Sequence, residues 1–208
     1  MYLYFDIGSN IGQWSLENIH NASRIISVEA SPNTFNTLLG NCGNNPNIVC
    51  LNYAVCNNNG MDITFYDSVA NTLSTLNKDW LTSPSSRFYN TGYSVITCKT
   101  ITIDNLIQTY GIPELIKIDV EGGEYECVSS LTRKVNNLCF EWASETHEVT
   151  FKCLDHLHSI GFTKFYIQYE DNYTYRPIEE QYTTDLYSIK TSIRETRPKI
   201  DWGMVWCK

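Results

Sequence analysis

What this chain of 208 residues is short of narrows its class first. Positive charge is scarce: 15 lysines and arginines stand against 23 acids, a net −8 that speaks against a nucleic-acid backbone as partner, because phosphate binding leaves a basic surface. Long apolar runs are missing. None approaches the roughly 20 residues a membrane span needs, and no leader pattern opens the sequence, so the expected setting is the cytoplasm, without a membrane span. The eight cysteines form no Cys-x-x-Cys pair and alternate with no histidines at zinc spacing. Several sit inside apolar runs, such as Val49-Cys50-Leu51 and Leu138-Cys139-Phe140, where reduced thiols act as small hydrophobes. Internal repeats and linkers are absent too. What is present, 42% hydrophobic and 13% aromatic residues, suits one packed domain over 1–208.

The opening stretch organises the rest. Tyr2-Leu-Tyr-Phe-Asp6 reads as a strand, Ile7 to Gly12 as a glycine-bearing turn, and Ile11, Trp14, Leu16 and Ile19 as the apolar stripe of a helix. Gly8 and Gly12 remove side chains where the turn would approach a nucleoside and where the helix would pack on the strand. The spacing is Asp-x-Gly-x-Asn-x-Gly, not the dinucleotide fingerprint Gly-x-Gly-x-x-Gly. A second strand, Arg24 to Val28, ends at Glu29, the position from which an acid accepts hydrogen bonds from ribose hydroxyls. Ser31-Pro32 then caps and starts a helix. Asn47 to Val55 is a third strand, with small Ala54 placed to flank an adenine or simply to pack.

Further strands are expected at Met61–Tyr66 and Tyr93–Thr100. Between them, 67–93 loses its period and carries Trp80, Phe88, Tyr89 and Tyr93, the marks of a substrate loop or of a small satellite core. Thr102 caps a helix that Gly111 closes. Leu115 to Glu121 is a buried strand; period-2 geometry puts Lys117, Asp119 and Glu121 on one side, where buried charge demands partners or a ligand. Val135 to Trp142 is another strand with Glu141 at its end, Thr146 or Glu145 leads into a helix through His158, and 170–198 is polar and tyrosine-rich, a second candidate substrate loop. Alternating strands and helices predict an α/β fold, and acids at four strand ends (Asp6, Glu29, Asp119, Glu141) would meet at the edge where open sheets bind ligands.

Three segments together resemble the FkbM family of S-adenosylmethionine (SAM) methyltransferases: Asp6-Ile-Gly-Ser-Asn-Ile-Gly12, Val28-Glu-Ala-Ser-Pro-Asn-Thr-Phe35 and, most specifically, Leu115-Ile-Lys-Ile-Asp-Val-Glu-Gly-Gly-Glu124. The run Thr100-Ile-Thr-Ile-Asp-Asn-Leu106 fits as well. The resemblance implies a Rossmann-like class I methyltransferase fold, with a central, mostly parallel, seven-stranded sheet and helices on both faces. It implies that Asp6, Gly8, Ser9, Asn10, Ile11 and Gly12 hold the methionine portion of SAM, that Glu29 with Ala30 and Ala54 holds the nucleoside, and that Asp119 and Glu121 border the reacting centre. Family members methylate hydroxyls, often of sugars, so the expected acceptor is a sugar or glycan hydroxyl, such as one on rhamnose or another deoxysugar, with S-adenosylhomocysteine as product. Such chains carry sequence ahead of the first strand, and this one opens on the strand. The expectation is a module cut from a longer polypeptide and joined there to glycosyltransferase domains, of viral or microbial origin and working in the host cytoplasm if viral.

A sugar hydroxyl needs a base within hydrogen-bond reach. The candidates, in order, are Asp119, Glu121, Glu141 and His147. The residues assign no metal, although Asp119 and Glu141 would suit magnesium if the reaction is magnesium-dependent. The rival readings are a nicotinamide-dependent oxidoreductase and a non-catalytic SAM- or glycan-binding module. A nucleic-acid methyltransferase ranks below both, since neither an Asn/Asp-Pro-Pro-aromatic loop nor a basic stripe is present.

Overall fold

A computed structural model describes residues 2–208. Its strands are β1 (Leu3–Ile7), β2 (Arg24–Glu29), β3 (Ile48–Asn52), β4 (Ala54–Val55), β5 (Asp62–Ser68), β6 (Tyr93–Ile101), β7 (Leu115–Ile118), β8 (Asn137–Ala143), β9 (Phe165–Tyr169) and β10 (Trp202–Cys207). Its α-helices are α1 (Gln13–Asn18), α2 (Pro32–Cys42), α3 (Lys78–Thr82), α4 (Ile103–Tyr110), α5 (Glu124–Val128), α6 (His147–Ser159) and α7 (Leu186–Arg194). Seven strands form one sheet in the order β3-β2-β1-β7-β8-β10-β9, and only β10 runs against the rest. This is the expected mostly parallel α/β sheet. Order reverses between β1 and β7, so their carboxyl ends open a crevice.

Parallel strands covered on both faces read as continuous apolar runs, and each face takes alternate residues. Phe5, Ile7, Ile26, Val28, Ile116, Ile118 and Phe140 face one core, shared with α4, α5, α6 and α7. Tyr4, Ile25, Leu115, Cys139, Met204 and Trp206 face the other, which Trp14, Leu38 and Cys42 cover together with Tyr173, Tyr175 and Tyr182. The caps behave as their residues predict: Ser31 accepts from Thr34 N, Thr102 from Asn105 N, and Gly111 ends α4 at φ 101°.

Three sequence expectations change. Tyr93–Thr100 does form a strand, but in a separate sheet, β4-β6-β5, where β5 and β6 make a hairpin and 69–92 its tip. That tip is anchored: Trp80 and Leu81 are buried with Ala143, and Arg87 makes a two-pronged ion pair with Glu145 while donating to Asp201 O. Trp80, Phe88 and Tyr93 of 67–93 thus belong to a satellite core, while Tyr89 is exposed and Asn71, Thr72 and Ser74 of the same segment line the cavity described below. The third change concerns 170–198, which is not loop throughout: α7 buries Ile189 and Ile193, whose spacing matches the helical repeat. Among the described residues, no helix is long and apolar enough to cross a membrane.

Candidate active site

A cavity of about 350 Å³ lies over the carboxyl ends of β1, β2 and β7, within the range of small-molecule sites. The β1–α1 turn forms its floor. Gly8 N and Ser9 N both donate to Val28 O, and Asn10, at φ 48°, donates its N–H to Glu29 Oε2 at 3.0 Å. Ser31 N donates to the other oxygen, Glu29 Oε1, at 2.9 Å. Glu29 is thereby aimed into the cavity with lone pairs to spare. Burial raises its proton affinity, to a pKa of about 7, against the pull of those two N–H groups. Ala30, Ala54 and Phe65 wall the adjacent end with apolar surface.

The two glycines act differently from the sequence reading. A Cβ on Gly8 would lie 1.7 Å from Asp119 O, and one on Gly12 would lie 2.4 Å from Cys42 Sγ. Gly8 thus seats the turn on the end of β7, and Gly12 seats α1 on α2. Gly12 does not line the cavity, whereas Gly8, Ser9, Asn10 and Ile11 do.

Asp6 is a correction too. It is fully buried beneath the turn, where Ser15 Oγ donates to its Oδ2 at 2.6 Å and Lys117 Nζ stands 3.4 Å from its Oδ1. Oδ1 accepts no hydrogen bond. Asp6 reaches the cavity only through Lys117, which also donates to Gly8 O at 3.0 Å and pairs with Asp119 at 3.3 Å. Burial alone would lower the Lys117 pKa, but Asp119 and Asp6 reverse that and hold the ammonium charged.

Beyond Lys117 the rim is acidic. Strand β7 stops at Ile118, and Glu121 turns the chain at φ 58°, followed by Gly122 at φ 86°. The alternation read from sequence therefore does not extend to Glu121. Even so, Lys117, Asp119, Val120 and Glu121 all line the cavity. The hairpin tip braces this turn: Thr75 Oγ1 donates to Glu121 O at 2.6 Å, and Trp80 Nε1 to Glu121 Oε2 at 3.0 Å. Glu124 closes it from below, accepting from Val120 N and Gly122 N. Glu141 enters from β8, and each of Asp119, Glu121 and Glu141 places a carboxylate oxygen within 4.8 Å of the other two. Burial first, then the charge of Asp119 on Glu121 and of Glu121 and Asp119 on Glu141, raises Glu121 and Glu141 well above the ordinary carboxylate range. Three hard oxygen donors at this spacing could hold a divalent cation.

His147 is not brought to the site. It starts α6, with Nδ1 at 3.2 Å from Ser144 O, and does not line the cavity. Sequence reasoning missed Gln13, Trp14, Asn71, Thr72, Ser74, Asp171 and Trp202, all lining residues. Trp14 was legible only as an apolar helix position, Gln13 and Trp202 open α1 and β10, and Asn71, Thr72, Ser74 and Asp171 fall in the two segments expected as substrate loops, 67–93 and 170–198.

A family model described as "Methyltransferase FkbM domain" matches residues 6–177. Hexuronic acid methyltransferase AglP of Haloferax volcanii is 28% identical over 139 residues, covering 65% of this chain and 52% of the relative, so the chain spans about half the length of that curated protein. Among solved structures, precorrin-6y C5,15-methyltransferase from Geobacter metallireducens matches with a TM-score of 0.51 at 10% identity, over 100% of this chain and 79% of that one. Precorrin 8w decarboxylase from Methanobacterium thermoautotrophicum gives 0.50 at 10% identity, over 100% and 81%. At such identities the likeness is one of fold, the Rossmann-like arrangement already described.

Proposed function

The chain belongs to the FkbM methyltransferase family, and from that premise we propose that it transfers a methyl group from SAM to a hydroxyl of a sugar or glycan. One observation carries the reading. Among the described residues, five carboxylates line the cavity (Glu29, Asp119, Glu121, Glu141, Asp171) against a single cation, Lys117, which is already committed to Asp6 and Asp119. Acids crowded in this way favour a cationic, hydroxyl-rich ligand. A sulfonium nucleoside is both. A nicotinamide dinucleotide would bring its anionic pyrophosphate onto the same acids, which weighs against the oxidoreductase reading.

In this assignment Glu29 accepts from the ribose hydroxyls, while Ala30, Ala54 and Phe65 sandwich the adenine. A sulfonium bound there would supply an electrophilic methyl carbon, the carbon–sulfur bond breaking as the acceptor oxygen bonds that carbon and neutral S-adenosylhomocysteine leaving with the electron pair. Glu141 takes the proton of the acceptor hydroxyl as its oxygen bonds that carbon, because Glu141 alone of the three rim acids accepts no hydrogen bond and pairs with no cation among the described residues. A raised proton affinity is what a general base near neutral pH requires. Asp119, held by Lys117, and Glu121, held by Trp80, orient the acceptor. The same excess of acids favours a neutral sugar, such as a deoxysugar, over a uronate at the reacting centre.

Calorimetric titration with SAM and S-adenosylhomocysteine, followed by mass analysis of sugars incubated with SAM, tests the reading. Binding plus a gain of one methyl group supports it. Binding without transfer would favour a non-catalytic module, and no binding would end it. A second reading, supported by the 4.8 Å carboxylate set, adds a divalent cation at Asp119, Glu121 and Glu141. Turnover abolished by a chelator and restored by magnesium would establish it.

A further inference from the structure

We infer that Asp171, fastened in place by Arg176, forms the subsite for the amino-acid end of the nucleoside, its carboxylate taking the α-ammonium. The inference rests on the cofactor reading above and gives a cofactor role to residues that lie outside the family's three motifs and that the sequence placed only within a candidate substrate loop.

The segment after β9 has no helix or strand of its own from 171 to 178, yet it is bolted down. Glu170, at φ 60°, turns the chain out of β9, and its N–H is held by Trp202 O at 2.9 Å. Six residues on, the Arg176 guanidinium lies between two indoles, 5.7 Å from the Trp14 ring and 5.3 Å from the Trp206 ring. It donates to Tyr175 O at 2.6 Å, to Tyr173 O at 3.2 Å and to Asn18 Oδ1. Asn18 Nδ2 completes the clasp by donating to Tyr173 O at 3.0 Å. Desolvated cation–π contacts and charge-assisted hydrogen bonds of this kind fix a loop without secondary structure. The product of that fixation is local: Asp171 and Tyr173 line the cavity beside Trp14.

Asp171 stands at the end of the cavity away from the adenine wall. It follows β9, at the opposite end of the sheet from β2 and β3, after which Ala30 and Ala54 of the adenine wall come, and the charged groups that act on it are Asp119 just past β7, Lys117 of β7, Asp6 of β1 and Glu17 of α1. Among the described residues its carboxylate has neither an ion-pair partner nor a hydrogen-bond donor, although it is only partly exposed. Burial and Asp119 accordingly raise its pKa to about 6. An acid held rigidly in this setting is matched by a primary ammonium, whose three donors satisfy a carboxylate directly. The amino-acid tail of SAM carries one.

Two nucleosides separate this subsite from the rest of the cavity. S-adenosylhomocysteine carries the α-ammonium, and 5′-methylthioadenosine lacks the whole amino-acid group while keeping adenine, ribose and sulfur. In calorimetric titrations of the full chain, Asp171→Asn should weaken S-adenosylhomocysteine by about tenfold or more, the scale of a lost charged hydrogen bond, and leave 5′-methylthioadenosine within about twofold. Arg176→Met, with folding checked by its circular dichroism spectrum, should show the same selectivity through the loosened segment. An equal loss for both nucleosides in Asp171→Asn, or no loss for either, would overturn the assignment while leaving the cofactor reading intact. Failure of the unaltered chain to bind either nucleoside would overturn the cofactor reading, and this assignment with it.

Discussion

The two sides of the cavity treat their acids in opposite ways. On the β1–β2 side every carboxylate is tied: Glu29 receives one backbone N–H on each oxygen, and Asp6 receives the Ser15 hydroxyl and the Lys117 charge. On the β7–β8 side, Asp119 has Lys117 at 3.3 Å, Glu121 has one indole N–H, and Glu141 has no partner among the described residues. The tied side is preorganised to bind. The loosely tied side holds groups of high proton affinity near one another, as acid–base chemistry requires and stability does not. Substitutions on the two sides should therefore separate into losses of turnover and losses of affinity.

The largest effect is expected on the loosely tied side. Glu141→Gln keeps the shape and removes the base, so kcat should fall by roughly 10²- to 10⁴-fold, the range of general-base catalysis. Affinity for S-adenosylhomocysteine should stay within a few-fold, since Glu141 contacts the acceptor in this assignment. Single-turnover kinetics with calorimetry check both halves. Unimpaired turnover would move the base to Asp119 or Glu121.

Next in size is a pH effect on stability. Burial holds protons on Glu29 and Glu124 to about pH 7 in the folded chain, against an ordinary value of 4.5. Between those values the folded state binds more protons than the unfolded one, so stability falls as pH rises from about 4.5 to 7. At roughly 1.4 kcal/mol per unit, Glu29 alone accounts for about 3 kcal/mol. Glu121 and Glu141 act in the same direction. Urea denaturation of the unliganded chain at pH 5 and pH 8 measures it. Equal midpoints would mean that the two N–H donors keep Glu29 ionised, which would sharpen the contrast between the two sides.

On the tied side, Glu29→Gln exchanges a carboxylate that accepts from Asn10 and Ser31 for an amide that can accept on one oxygen only. SAM affinity should drop by roughly ten- to a hundredfold, the scale of lost charged hydrogen bonds, with kcat at saturation within a few-fold of the unaltered chain. A fall in kcat without a change in affinity would reverse the roles of the two sides.

How much of this could be read from residues alone follows from where backbone periodicity holds. The sheet, its helices and the cavity positions of Glu29, Asp119 and Glu141 were legible, because apolar runs and strand-end acids fix both the strand and its outlet. The direction of a side chain at a strand end was not. Asp6 sits one register below the crevice and serves Lys117, a matter settled by pairing with β2 and β7 and invisible along one strand. Glu121 reaches the rim through a left-handed turn rather than by alternation, and the hydroxyl and indole that support that turn come from residues 75 and 80. Asp171 depends on an arginine five positions later finding two tryptophans that are far away in sequence. Contacts of that range leave no local pattern.

The smallest effect tests whether the difference between the sides can be tuned. Trp80 is 3% exposed, packs edge-on to Phe88 at 5.2 Å, and gives Glu121 its one side-chain tie. Trp80→Phe keeps much of that packing and deletes the N–H. The lost hydrogen bond had favoured the charged carboxylate, so Glu121 should gain proton affinity. Because the Glu121 charge is what raises Glu141 after burial, a Glu121 that keeps its proton to higher pH repels Glu141 less, and the acidic limb of the kcat–pH profile should move to lower pH, with turnover at the optimum changed less than turnover below it. A merely structural role for Trp80 would lower kcat evenly across pH and leave the limb in place. A shifted limb with unchanged SAM affinity would show that the hairpin tip sets the proton affinity of the reactive side without touching the binding side, and that the two sides of the cavity can be adjusted separately.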